Sequence, residues 1–169
     1  MNRLNEQAAD GAQAEFLKCC GSRRWADMMT EARPFADLES LLAKAGSVWW
    51  SLSQDDWLEA FRAHPRIGQK KAAATQSQQA QSWSAQEQSG VQDSAFQTKA
   101  ELAERNTAYE ARFGFIFIVC ATGKSAGDML SILNRRLQND SATELRIAAE
   151  EQRKITELRL RKLLGSLAV

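Results

Sequence analysis

Residues 115–121 read Phe-Ile-Phe-Ile-Val-Cys-Ala, an unbroken apolar run held between Gly114 and the pair Thr122-Gly123. Branched and aromatic side chains favour extended backbone, so we read the run as a buried extended segment rather than a helix, although so short a stretch has no period to settle the matter. No second stretch makes a convincing strand, and the run therefore has no sheet to join. Its backbone N–H and C=O groups need other partners, and a bound polar ligand is one candidate. The fold expected from this is all-α: a single domain over residues 1–169 with about seven or eight helices and one short extended apolar segment.

The helices can be placed outward from the run. Downstream, Ser125-Ala126-Gly127-Asp128 has capping-box spacing and opens a helix to about Leu137, and Ser141-Ala142-Thr143-Glu144 opens a long last helix to about Leu164. Upstream, a long helix covers Ala95–Arg112, with Leu102, Tyr109 and Phe113 on its apolar side and Gly114 at its end. Before it, Ser84-Ala85-Gln86-Glu87 also matches a capping box, with Ser84 as N-cap. The stretch Lys70–Gln81, rich in Ala, Gln, Ser and Lys, reads as an exposed helix or a connector of high mobility. Toward the N-terminus, short helices fit Ala12–Cys20 and Trp25–Glu31, Pro34 marks a boundary, and Leu38, Leu41, Leu42 and Ala45 recur at helical spacing before Gly46, with Trp49 and Trp50 pointing to packing that continues beyond it. Ser53 caps a further helix with Trp57, Leu58 and Phe61 on its core face. That helix stops near His64, because proline at 65 disfavours helical geometry in the residue before it, and a turn closes at Gly68.

Composition narrows the partners. The chain has 22 basic and 21 acidic side chains, which leaves no electrostatic footprint for nucleic acid or an anionic membrane surface. Its start lacks the apolar stretch of a secretory signal and no apolar run approaches the ~20 residues of a membrane span, so a cytosolic protein whose partners are small molecules or proteins is expected. Three cysteines, two adjacent at Cys19 and Cys20, form neither a disulfide framework nor a metal spacing, and Cys120 reads as a buried thiol.

Few constellations can carry chemistry. Gly123-Lys124-Ser125 resembles the end of a phosphate loop, but Ile118 stands where the first glycine is required. The survivors are His64, the one histidine, at a helix end; Glu87; the backbone of Phe117–Ala121; and Arg159, four residues after Ile155 and four before Leu163 on the apolar side of the last helix. Each has two readings. His64 is a surface or core residue or a titrating group in a cleft; Glu87 is a cap or an active-site acid; Arg159 pairs with a buried carboxylate or with an anionic substrate. Arg161 looks solvated beside Glu157.

Together these residues resemble the 2-oxo-4-hydroxy-4-carboxy-5-ureidoimidazoline (OHCU) decarboxylases. The resemblance rests on Arg-Pro-Phe at 33–35, His-Pro-Arg-Ile-Gly at 64–68, Ser-x-x-Glu-Gln at 84–88, Asn106-x-x-Tyr109, Phe-Gly-Phe at 113–115 with the run after it, and Leu-Arg-Leu at 158–160. It covers nearly the whole chain from about residue 10, with Ile116 where some members carry proline. It implies an all-α homodimer that uses no metal or organic cofactor and converts the ureidoimidazoline carboxylate to (S)-allantoin in urate degradation. It implies His64 and Glu87 as catalytic residues, and Pro65, Ser84, Ala85, Gln86, Glu87, Gln88, Phe117, Ile118, Val119, Cys120, Ala121 and Arg159 as substrate contacts. The competing readings are a helical interaction module of the same fold without activity, which would expose an apolar patch, and a hydrolase in which Glu87 activates water.

Overall fold

A computed structural model of the chain describes residues 1–67, 77–92 and 96–167. Among these residues it is all-α, with ten helices and no strand. The helices are α1 (Asn2–Glu6), α2 (Ala9–Cys19), α3 (Arg23–Glu31), α4 (Leu38–Ser51), α5 (Gln54–Arg62), α6 (Gln78–Glu87), α7 (Ser89–Gln92), α8 (Phe96–Phe113), α9 (Ala126–Arg136) and α10 (Ser141–Leu167). The count exceeds the expected seven or eight partly because α1 and α7 are only about one turn long, too short to show a period in sequence. No described helix is long and apolar enough to cross a membrane. The chain divides into two compact units, Met1–Ala60 with Arg153–Val169, and Phe61–Gln152.

In the first unit, Ser22 caps α3 by accepting from the Trp25 N–H at 3.3 Å, and Trp25 meets Phe16 edge-on with ring centroids 5.9 Å apart. Its indole N–H donates to the Ala45 carbonyl at 3.2 Å, which ties α3 to α4. Helix α4 does not stop at Gly46. It runs on to Ser51 because Leu41, Ala45, Val48 and Trp49 form one buried stripe across the glycine, and that burial outweighs the modest cost of glycine within a helix. Arg33 of the Arg-Pro-Phe motif donates to the carbonyls of Leu4 and Gln7 at 2.9 and 2.8 Å, closing the C-terminal end of α1.

The second unit is built around the extended run. Gly114 (φ +79°) ends α8 and Gly123 (φ +77°) turns the chain toward α9, so the segment between them is bracketed by the two residues able to take left-handed geometry without strain. Phe117, Val119 and Ala121 of the run share a core with Ile67, Val91, Leu102, Tyr109, Ala126, Met129 and Leu133. Tyr109 is the hub: its ring lies 4.7 Å from Phe113, 5.8 Å from Phe115 and 5.3 Å from Phe117, which gives Asn-x-x-Tyr and Phe-Gly-Phe a common packing origin.

Two of the three expected capping boxes are absent. Ser125 and Asp128 do cap α9 reciprocally. Helix α6, however, starts at Gln78 with Ser77 as N-cap, so Ser84 lies inside the helix and Glu87 is its last residue. Helix α10 is capped by Asp140, whose carboxylate accepts from the Thr143 N–H at 2.9 Å, leaving Glu144 for another role. Asp and Ser are nearly equal N-caps, so spacing alone does not choose between Asp140 and Ser141. Of the polar stretch Lys70–Gln81, residues 70–76 lie outside the described residues, as does Gly68, while Gln78–Gln81 belong to α6.

Candidate active site

Helix α5 ends at Arg62, and the His64 N–H donates to the Phe61 carbonyl at 3.1 Å in the turn that follows, as Pro65 requires. The turn is fixed on both sides of the imidazole. Phe61 packs on Phe115 with centroids 5.4 Å apart, Arg66 forks onto Glu110 of α8 through two hydrogen bonds of 2.9 Å, and Ile67 enters the core beside Phe117 and Val119. His64 and Pro65, between Phe61 and Ile67, are left half-buried.

Glu87, at the end of α6, acts on the extended run through its charge. Ser84 and Glu87 lie on the inner face of α6 with Ala80 and Trp83, and Glu87 is 9 % exposed. Ala85 and Gln86 face outward and Gln88 is half-buried, so the five contacts expected over 84–88 separate into two buried and three more exposed positions. In α7, a Cβ on Gly90 would strike the backbone carbonyl of Lys124. Only glycine permits that approach, and it brings the end of α6 against the loop that follows the run. The Glu87 carboxylate is close enough to Cys120 to raise its thiol pKa, although burial is the main cause of the rise and the Lys124 ammonium opposes it. The turn of His64 and the end of α6 thus border one segment.

The run meets its backbone requirement with side chains. Arg136 donates to the Ile118 carbonyl at 2.8 Å, Glu151 accepts from the Cys120 N–H at 2.8 Å, and Lys124 donates to the Cys120 carbonyl at 2.6 Å. Cys120 is half-buried rather than buried, because its neighbours Val119 and Ala121 take the core side of an extended segment. Behind the wall, Arg136 (4 % exposed) pairs with Glu144 (0 %) at 2.6 Å, and Glu144 also accepts from Asn139 at 2.8 Å and from the Tyr109 hydroxyl. Burial pushes the Tyr109 phenol far above its ordinary pKa, so it stays a donor. Arg136 and Glu151 carry no reading in the sequence, while Glu144 reads there only as a helix cap and Lys124 only as part of a rejected phosphate loop. For Arg136 the signal existed: it follows Met129 and Leu133 at helical spacing, the argument that had marked Arg159.

Arg159 belongs to the first unit. It is 3 % exposed, as its spacing predicted, and donates to the Lys18 carbonyl at 3.5 Å. Its charge lowers the pKa of the buried thiols of Cys19 and Cys20, but burial dominates and holds Cys20 up at about 11, so both are inert free thiols. Arg161 pairs with Glu157 at 2.9 Å on the surface, as expected. Among the described residues no group of three or more His, Cys, Asp or Glu side chains is arranged to hold a metal ion.

This geometry can be set beside known proteins. The family model described as OHCU decarboxylase matches residues 5–161. The chain belongs to the OHCU decarboxylase family. It is 38 % identical to the uric acid degradation bifunctional protein TTL of Arabidopsis thaliana over 95 % of this chain and 50 % of that protein, so it spans about half of that relative. It is 27 % identical to the 2-oxo-4-hydroxy-4-carboxy-5-ureidoimidazoline decarboxylase of Haloferax volcanii over 98 % and 95 % of the two chains. Among solved structures, an OHCU decarboxylase crystallised in the presence of (S)-allantoin superposes with a TM-score of 0.78 at 38 % identity, covering 89 % of this chain and 97 % of that one. An (S)-allantoin synthase at 19 % identity shares the fold, with a TM-score of 0.72 over 96 % of this chain and 53 % of its own.

Proposed function

We propose that this chain decarboxylates 2-oxo-4-hydroxy-4-carboxy-5-ureidoimidazoline to (S)-allantoin without metal or organic cofactor. The observation that carries the reading is the convergence of the His64 turn and the buried end of α6 on one extended segment, in a chain of this family. Breaking the C–C bond to the carboxylate releases carbon dioxide and leaves an electron pair, which the adjacent ring C=N accepts. The protein must orient the carboxylate, stabilise the developing charge and deliver a proton to one ring face. His64 exchanges that proton with the substrate hydroxyl or the ring, and Glu87 orients the imidazole or the hydroxyl. Pro65, Ser84 and the run 117–121 shape the cleft. Arg159 captures the carboxylate in fork geometry, a role supported by the family resemblance and by the burial of its guanidinium. A homodimer in the cytosol is part of the same proposal, and light scattering that gives the mass of one chain counts against the dimer.

The test generates substrate in situ from urate and follows optical activity. Wild-type protein should accelerate the appearance of one allantoin enantiomer, and His64→Gln should return it toward background. Racemic allantoin at the uncatalysed rate sinks the reading. Arg159→Lys keeps the charge but loses the fork, and an unchanged KM would leave Arg159 a structural role. The interaction-module reading gains no support: among the described residues one large apolar side chain, Phe96, is exposed, and one side chain is not a patch.

A further inference from the structure

We propose that Arg136 is a positioning residue that aims the backbone of Val119 at a ureido or cyclic-amide group of the ligand; the inference rests on the decarboxylase reading for what that ligand is. The Ile118–Val119 peptide is trans, so its C=O and N–H point in opposite directions. Arg136 holds the Ile118 carbonyl from one side at 2.8 Å, which sends the Val119 N–H out of the other. The next peptide repeats the logic: Glu151 takes the Cys120 N–H at 2.8 Å, and the Val119 C=O points away from Glu151. In extended backbone the N–H and C=O of one residue leave from the same edge, so Val119 presents a donor and an acceptor side by side.

Among the described residues neither of these two groups has a hydrogen-bond partner, although Val119 is 6 % exposed. Backbone groups at such buried positions are almost always paired, and a pair left open in this orientation fits a ligand group that itself carries N–H and C=O together. The proposed substrate has that chemistry in its ureido arm and ring amide. Arg136 suits the task because it cannot swing. Its Nε and one terminal nitrogen are taken by Glu144 at 2.7 and 2.6 Å, it donates to the Tyr109 oxygen at 3.3 Å, and it lies 4.7 Å over the Phe117 ring. What remains is the nitrogen directed at Ile118.

The experiment titrates 15N-labelled protein with (S)-allantoin while following backbone amides, alongside kcat and KM. In wild type the Val119 amide resonance should move on saturation. In Arg136→Lys, checked for native far-UV circular dichroism, that movement should be lost and kcat/KM should fall about 10²-fold, the usual effect of misplacing one backbone donor. A merely structural arginine would lower the melting temperature and leave both readouts intact in the folded fraction. A wild-type Val119 amide that stays still while other amides report saturation overturns the inference, as does Arg136→Lys with unaltered Val119 movement and kcat/KM. Should Arg136→Lys fail to fold, Tyr109→Phe loosens the guanidinium from one side; a smaller loss in both readouts supports the inference and no change overturns it. Absence of turnover in wild type instead sinks the decarboxylase reading, while the amide titration still decides whether Val119 receives a ureido compound.

Discussion

Glu87 at the end of α6 and Glu144 in the first turn of α10 are both carboxylates drawn into the second unit, yet their surroundings differ in kind. Glu144 is fully enclosed, and its oxygens are committed to Arg136, Asn139 and Tyr109. Glu87 keeps 9 % of its surface, stands at a helix end and acts on the half-buried Cys120 beside the run. An enclosed and saturated carboxylate holds structure. The contrast supports a structural role for Glu144, and it is the setting in which we propose turnover for Glu87, at the rim of a segment bordered by a histidine turn.

The strongest way to break this contrast is Glu87→Gln. Loss of a positioned acid–base or orienting group typically lowers the rate about 10²–10⁴-fold, while the neutral isostere should leave the thermal midpoint nearly unchanged. A large fall in midpoint with retained kcat would make the two glutamates alike. Glu144→Gln should behave oppositely. It leaves Arg136 as an uncompensated buried charge, so denaturant titration should show a loss of about 3–5 kcal/mol, and any loss of kcat/KM should follow from the released Ile118 carbonyl. A stability change under 1 kcal/mol, within the range of an exposed pair, would refute the structural assignment. The smallest effect is expected from Gly90→Ala. The added Cβ meets the Lys124 carbonyl, so α7 must shift at a cost of about 1–3 kcal/mol and carry Glu87 away from Cys120. Equal stability and rate for this variant would mean that the approach of α7 does not set the position of Glu87.

How much was legible differs from residue to residue. The Ser125–Asp128 box is legible because both partners are exposed and their bonds close within one turn. Ser84–Glu87 and Ser141–Glu144 have comparable spacing, but other residues, Ser77 and Asp140, win the N-cap positions, and burial recruits both glutamates elsewhere. Capping is a contest of about 1 kcal/mol, whereas pairing a buried arginine decides several times more, so the distant partner prevails. Gly46, beyond which Trp49 and Trp50 point to continued packing, lies within α4 for a similar reason: the buried stripe runs through it.

The sequence by itself determined the helical class, the isolation of the run 115–121, the turn forced at His64 by Pro65, and the buried station of Arg159. Each follows from period, proline geometry or composition, all local properties of the chain. Only the tertiary structure decided which side chains satisfy that run, because Arg136, Glu151 and Lys124 come from three places in the sequence and no spacing links the first two to Ile118 or Cys120. It likewise decided that Glu87 lies at the end of a helix, within electrostatic reach of Cys120, rather than capping the start of one, since the close approach at Gly90 is a contact between segments far apart in the chain.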